Sequence, residues 1–106
     1  MPVAWNVDVE AVYFYEEAFE EADDEVRSLA RFMEVIRKIS AITYWTSTWF
    51  YKDRMEFKGV AKSSEELKDR LAKMGFKIRD LGNGEKYISG EADNWTVNFK
   101  ERDGRA

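Results

Sequence analysis

The chain contains no cysteine, no histidine and no glutamine, and one proline in 106 residues. Without cysteine there are no disulfides, thiolate nucleophiles or thiolate metal sites, which suits a cytoplasmic protein. Without histidine the commonest general base and metal ligand is missing. Most small-enzyme chemistry is thereby excluded, and no cofactor or metal is expected. No apolar run approaches the roughly 20 residues needed to span a bilayer. The N-terminal MPVAWNVDVE lacks the basic start and apolar stretch of a signal peptide, so no membrane partner is expected either. A length of 106 residues fits one domain, 1–106, with a core large enough to need no staples.

What is present in quantity is charge, at 36% of residues, with lysine and glutamate prominent, a thermophile-like composition. The net charge of −4 hides an uneven distribution. Residues 1–25 carry nine acids and no base, while the remainder carries seventeen bases and twelve acids. One surface can therefore be locally basic in a protein that is acidic overall.

Residues 3–15 open with alternation: Val3, Trp5, Val7, Val9 and Ala11 against Asn6, Asp8 and Glu10, the pattern of a half-buried strand. Residues 17–39 read as an amphipathic helix whose stripe is Phe19, Ala22, Val26, Leu29, Met33 and Ile36, with Arg37 and Lys38 at its C-terminal end. A β-rich stretch follows from Ile42 to Lys58, with a turn near Lys52-Asp53-Arg54. Ser63 and Glu66 have capping-box spacing before Leu67, Leu71 and Met74, and Gly75 stands where a left-handed terminator belongs. Period two returns at Phe76 and Ile78. Turns at Gly82-Asn83-Gly84 and Ala92-Asp93-Asn94 bracket a short strand, Glu85–Glu91, and Trp95–Lys100 alternates without a fault. The tail from Arg102 to Ala106 reads as frayed.

These elements predict an α+β fold: a single antiparallel sheet with two helices on one face, in ferredoxin-like βαββαβ order plus an extra C-terminal strand. The alternative is a helical N-terminus over residues 8–40 followed by a β-rich meander, because Trp5, Val9, Val12, Phe19, Ala22 and Val26 also sit at helical spacing.

With both helices on one face, alternation lists the open face. Trp45, Trp49, Tyr51, Met55, Phe57, Phe76, Ile78, Trp95, Val97 and Phe99 turn inward. Tyr44, Thr46, Thr48, Phe50, Lys52, Arg54, Glu56, Lys58, Lys77, Arg79, Thr96, Asn98 and Lys100 turn outward. That face holds six cations, one acid and two rings, diluted only by Asn6, Asp8 and Glu10 of the first strand. Rings stack bases at roughly 1–3 kcal/mol each, and lysine and arginine follow phosphates. The expected function is therefore non-catalytic binding of single-stranded DNA or RNA through Tyr44, Phe50, Lys52, Arg54, Lys58, Lys77, Arg79 and Lys100.

The bland reading is a solvated sheet whose lysines discourage edge pairing, and the RNP1 string of RNA-recognition motifs is absent. A second functional expectation is a homodimer or other protein-interaction module that uses the aromatic face as its interface. A third is an inhibitor presenting the acidic run Glu16–Glu25 to a basic protein surface. That run lacks the glycine-containing pattern of a calcium loop, and Ser63 and Ser64 have no base to activate them.

Overall fold

The computed structural model describes residues 5–15, 22–82, 85–89 and 94–102; at 22–24 and 85–89 only the backbone is described. Its elements, in chain order, are β1 (Val7–Phe14), α1 (Ala22–Ser40), β2 (Thr43–Phe50), β3 (Arg54–Ala61), α2 (Ser64–Lys73), β4 (Arg79–Gly82), β5 (Glu85–Ser89) and β6 (Trp95–Glu101). The six strands form one antiparallel sheet in the order β2-β3-β1-β6-β5-β4.

The N-terminal alternation is a strand, not a helix. Val7, Val9, Ala11 and Tyr13 of β1 are buried together with Met55 and Ala61 of β3 and Trp95, Val97 and Phe99 of β6. Both helices cover this face, through Phe32, Val35, Ile36 and Ile39 of α1 and Leu67 and Leu71 of α2. Phe32 is the hub, with ring centroids 5.5 Å from Tyr13, 5.9 Å from Phe57 and 6.0 Å from Trp95. The Asn94 amide donates to the buried Ser28 hydroxyl at 3.3 Å, which ties α1 to the start of β6. Of the expected terminators and turns, residues 83–84, 90–93 and 103–106 lie outside the described residues, as do 16–21 of the acidic run.

The second helix forms as its sequence dictates. Ser63 is its N-cap and accepts from the Glu66 amide at 3.2 Å. At the other end Gly75, at φ +93°, donates to the Ala72 carbonyl and Phe76 donates to that of Leu71, the two bonds of a Schellman stop. Ser63→Ala is expected to cost about 1 kcal/mol, because it orphans that first-turn amide, and a urea titration reads the loss directly.

Three expectations are corrected. The apolar row predicted to dock α1 docks only at Ile36, which is buried: Val26 is 63% exposed, and Leu29 and Met33 are exposed as well. The buried row is Ser28, Phe32, Val35, Ile36 and Ile39. The helix carries two adjacent apolar rows, and the aromatic hub with Tyr13, Phe57 and Trp95 selects the one containing Phe32. The strand expected from Phe76 also begins late, at Arg79. Phe76 and Ile78 still pack against the core, Phe76 edge-on to Trp95 at 5.4 Å. The extra strands β4 and β5 precede the strand that joins β1; they do not follow it.

Candidate interaction surface

β2 forms one end of the sheet, and its geometry turns on a single irregularity. Pairing with β3 runs in register from Thr43↔Ala61 to Trp45↔Gly59, then shifts so that Ser47 faces Lys58, Trp49 faces Glu56 and Phe50 faces Met55. Thr46 is the extra residue of a β-bulge, and its hydroxyl donates to the Lys58 carbonyl at 3.1 Å. Directly opposed residues of an antiparallel pair share a face, and an inserted residue reverses every parity beyond it.

The tryptophan and phenylalanine at positions 49 and 50 therefore exchange faces. Trp49, expected in the core, stands on the open face at 56% exposure, the same face as Tyr44 at 64% but with Ser47 between them. Phe50, expected on the open face, projects on the helix-bearing face opposite Met55 and is 71% exposed. Trp45 keeps its expected side. It packs edge-on to Phe57 at 5.9 Å and donates from Nε1 to the Ser40 hydroxyl at 2.8 Å. Its ring is accommodated by Gly59, where an added Cβ would lie 2.6 Å from the Tyr44 carbonyl oxygen and 2.9 Å from Trp45 Cε3.

The bond from Trp45 to Ser40 also fixes which flank of α1 looks toward β2. Val26, Leu29, Met33 and Ser40 follow one helical row, so the exposed apolar row lies along the β2 side. α2 takes the other flank, where Arg70 donates to the Lys38 carbonyl at 3.2 Å. Val26, Leu29, Met33, Tyr44, Trp49, Phe50 and Tyr51 are thus exposed large apolar residues grouped at one end of the molecule. The eight residues of β2, TYWTSTWF, include no charge.

The open face is less basic than alternation suggests. Of the six expected cations, Lys52 lies in the turn between β2 and β3 and Lys77 in the segment between α2 and β4. Arg54, Lys58 and Lys100 stand on open-face strand positions, as does Arg79 by its register with Tyr87 and, through it, Asn98. β1 runs through the middle of the sheet and brings its acids between these cations. Lys58 lies 3.7 Å from Glu10, and Asp8, level with Lys100, pairs with Arg102 at 2.9 Å. Arg54 donates from Nε to Glu56 at 2.6 Å and from Nη1 to Asp53 at 2.9 Å, and its guanidinium lies 4.3 Å from the Tyr51 ring centroid. The hydrogen bond to Glu56 raises the Arg54 pKa. A shallow depression of about 400 Å³ on this face is lined by Asp8, Glu10, Thr46, Lys58, Asn98 and Lys100, so acids and bases alternate around it.

Among the described residues no three acidic side chains converge to hold a metal ion, and no helix is long and apolar enough to cross a membrane. The acidic run Glu16–Glu25 falls outside the described side chains apart from Glu25, which is exposed.

Fold and surface together define an α+β domain with one antiparallel sheet, two helices on one face and an aromatic, uncharged end strand. No family model, curated protein or solved structure matches the chain.

Proposed function

We propose that this chain is a non-catalytic interaction domain that self-associates through β2. The observation that carries the reading is the contrast between the two ends of the sheet. β4 has four residues, two of them charged, and ends in Gly82 at φ +85°. Short length and charge are how sheet edges are protected from pairing. β2 has twice that length, no charge, no proline and three exposed rings. In the same reading β1, α1, β2, β3, α2 and β6 are a ferredoxin-like unit, supported by the order β2-β3-β1-β6, with the β4–β5 hairpin inserted before its last strand.

A second reading is favoured by the bulge: it puts two exposed rings, Tyr44 and Trp49, on the open face near Arg54 and Lys58, and separated rings of this kind can each stack a single-stranded base. Light scattering and fluorescence anisotropy separate the two. Self-association predicts a dimer whose dissociation constant rises about tenfold or more in Phe50→Lys and in Trp49→Lys, since each puts a charge into an uncharged, apolar seam. It also predicts no anisotropy change with labelled oligothymidine at low salt. A chain that is monomeric throughout the micromolar range overturns it. Oligonucleotide affinity that falls steeply with salt and disappears in Tyr44→Ala/Trp49→Ala establishes the second reading instead.

A further inference from the structure

Resting on self-association through β2, we infer that the second copy adds antiparallel about a two-fold axis normal to the sheet, in one register selected by the bulge. In that register Tyr44 lies opposite the partner's Trp49, Thr43 opposite the partner's Phe50, and Trp45 opposite the partner's Thr48.

The argument begins with which backbone groups of β2 point outward. The Tyr51 amide donates to Arg54 at 2.7 Å, and the Tyr15 amide donates to Asp53 at 3.0 Å. Hydrogen-bonded pairs alternate along an antiparallel ladder. Carried along β3, the first bond directs Arg54, Glu56, Lys58 and Val60 to β2, and the second independently directs the odd residues to β1. On β2 the residues opposite those four are Tyr51, Trp49, Ser47 and Tyr44. Thr43, Trp45, Thr48 and Phe50 therefore direct their amides and carbonyls away from the sheet.

A strand that extends the sheet must match both face and hydrogen-bonding phase. In the proposed register every outward-facing residue meets an outward-facing residue: Thr43 the partner's Phe50, and Trp45 the partner's Thr48. These four side chains are all on the helix-bearing face. Tyr44 and the partner's Trp49 form the intervening non-hydrogen-bonded pair on the open face, at the closer Cα spacing of about 4.5 Å. In an unbulged strand Tyr44 and Trp49 would lie on opposite faces, and the pairing would be forbidden. The extra residue, Thr46, permits it.

The second copy fits by chemistry too. A two-fold axis sets a strand against a copy of itself, so a charge near the axis would approach its own image, and β2 has none. An axis normal to the sheet keeps both copies of α1 on one side. Their exposed Val26, Leu29 and Met33 rows then face each other above Trp45, Thr48 and Phe50, which accounts for a second apolar row on a helix that needs only one for its own core.

The test exploits a chain without cysteine. Tyr44→Cys/Trp49→Cys places two thiols within disulfide reach of the partner's pair, and mild oxidation is expected to convert most of the protein to a covalent dimer on a non-reducing gel. Tyr44→Cys alone and Trp49→Cys alone are expected to remain uncrosslinked. Since both substitutions remove contact area, hydrogen exchange on the unaltered protein provides an independent readout: in the dimer the Thr48 and Phe50 amides are expected to be protected as well as that of Trp49. A wild-type dimer in which those two amides exchange freely, or in which a single-cysteine variant crosslinks as readily as the double, overturns this register and leaves self-association standing. A monomeric wild type removes both.

Discussion

Phe32→Ala is expected to destabilise the fold by about 3–5 kcal/mol, a large share of the roughly 5–15 kcal/mol that holds a domain of this kind together. The ring is fully buried and joins three elements at once, meeting Tyr13 on β1, Phe57 on β3 and Trp95 on β6. Deleting it removes the transfer energy of an aromatic side chain and leaves a cavity walled by rings, which cannot collapse without moving two strands. The adjacent Met33→Ala provides the contrast. Met33 is 44% exposed and belongs to the exposed row, so its loss is expected to change the urea midpoint little and to act on association instead. Equal losses from the two variants would mean that the helix docks by the other row. If Phe32→Ala does not fold, Phe32→Leu keeps the comparison measurable.

Gly59→Ala is expected to cost about 1–3 kcal/mol, a large effect for one methyl group on a strand. A new Cβ would lie 2.6 Å from a backbone oxygen of β2 and 2.9 Å from the Trp45 ring, and a backbone atom cannot rotate out of the way. Relief requires β2 to shift away from β3 where the bulge begins, between Trp45 and Ser47. The substitution is therefore expected to weaken self-association as well as to lower the urea midpoint, although residue 59 lies one strand in from the edge. A normal midpoint would show that β2 tolerates the shift, and a normal dimer at a reduced midpoint would separate the bulge from the seam.

The parts legible in the sequence are those settled by local chemistry. Ser63, Glu66 and Gly75 fix α2 through backbone hydrogen bonds made within a few residues, so its bounds follow without knowledge of neighbours. Trp95, Val97 and Phe99 alternate cleanly because β6 is buried on one face from Trp95 to Phe99. The choice of row on α1 is different in kind. Two apolar rows lie side by side, and only the strands beneath decide between them. The bulge was not legible either, since it falls in a threonine-rich run with no glycine to mark it, and that one residue exchanged the places of Trp49 and Phe50. Strand order accounts for the remaining difference at the site. The sequence lists Asp8 and Glu10 early, far from Lys58 and Lys100, and only the central position of β1 brings the opposite charges together.

The protected end of the sheet, β4, has a consequence for the size of any assembly. In the language of polymer chemistry, under the proposed self-association the domain would be a monofunctional monomer: one terminus would couple, the other would be inert, and growth would stop after a single coupling step. Arg79, Asp80 and Gly82 would then be the chain stopper, with the Asp80 carboxylate accepting from the Gly82 amide at 2.9 Å. A domain with two such ends would be bifunctional, and its product would be a fibre.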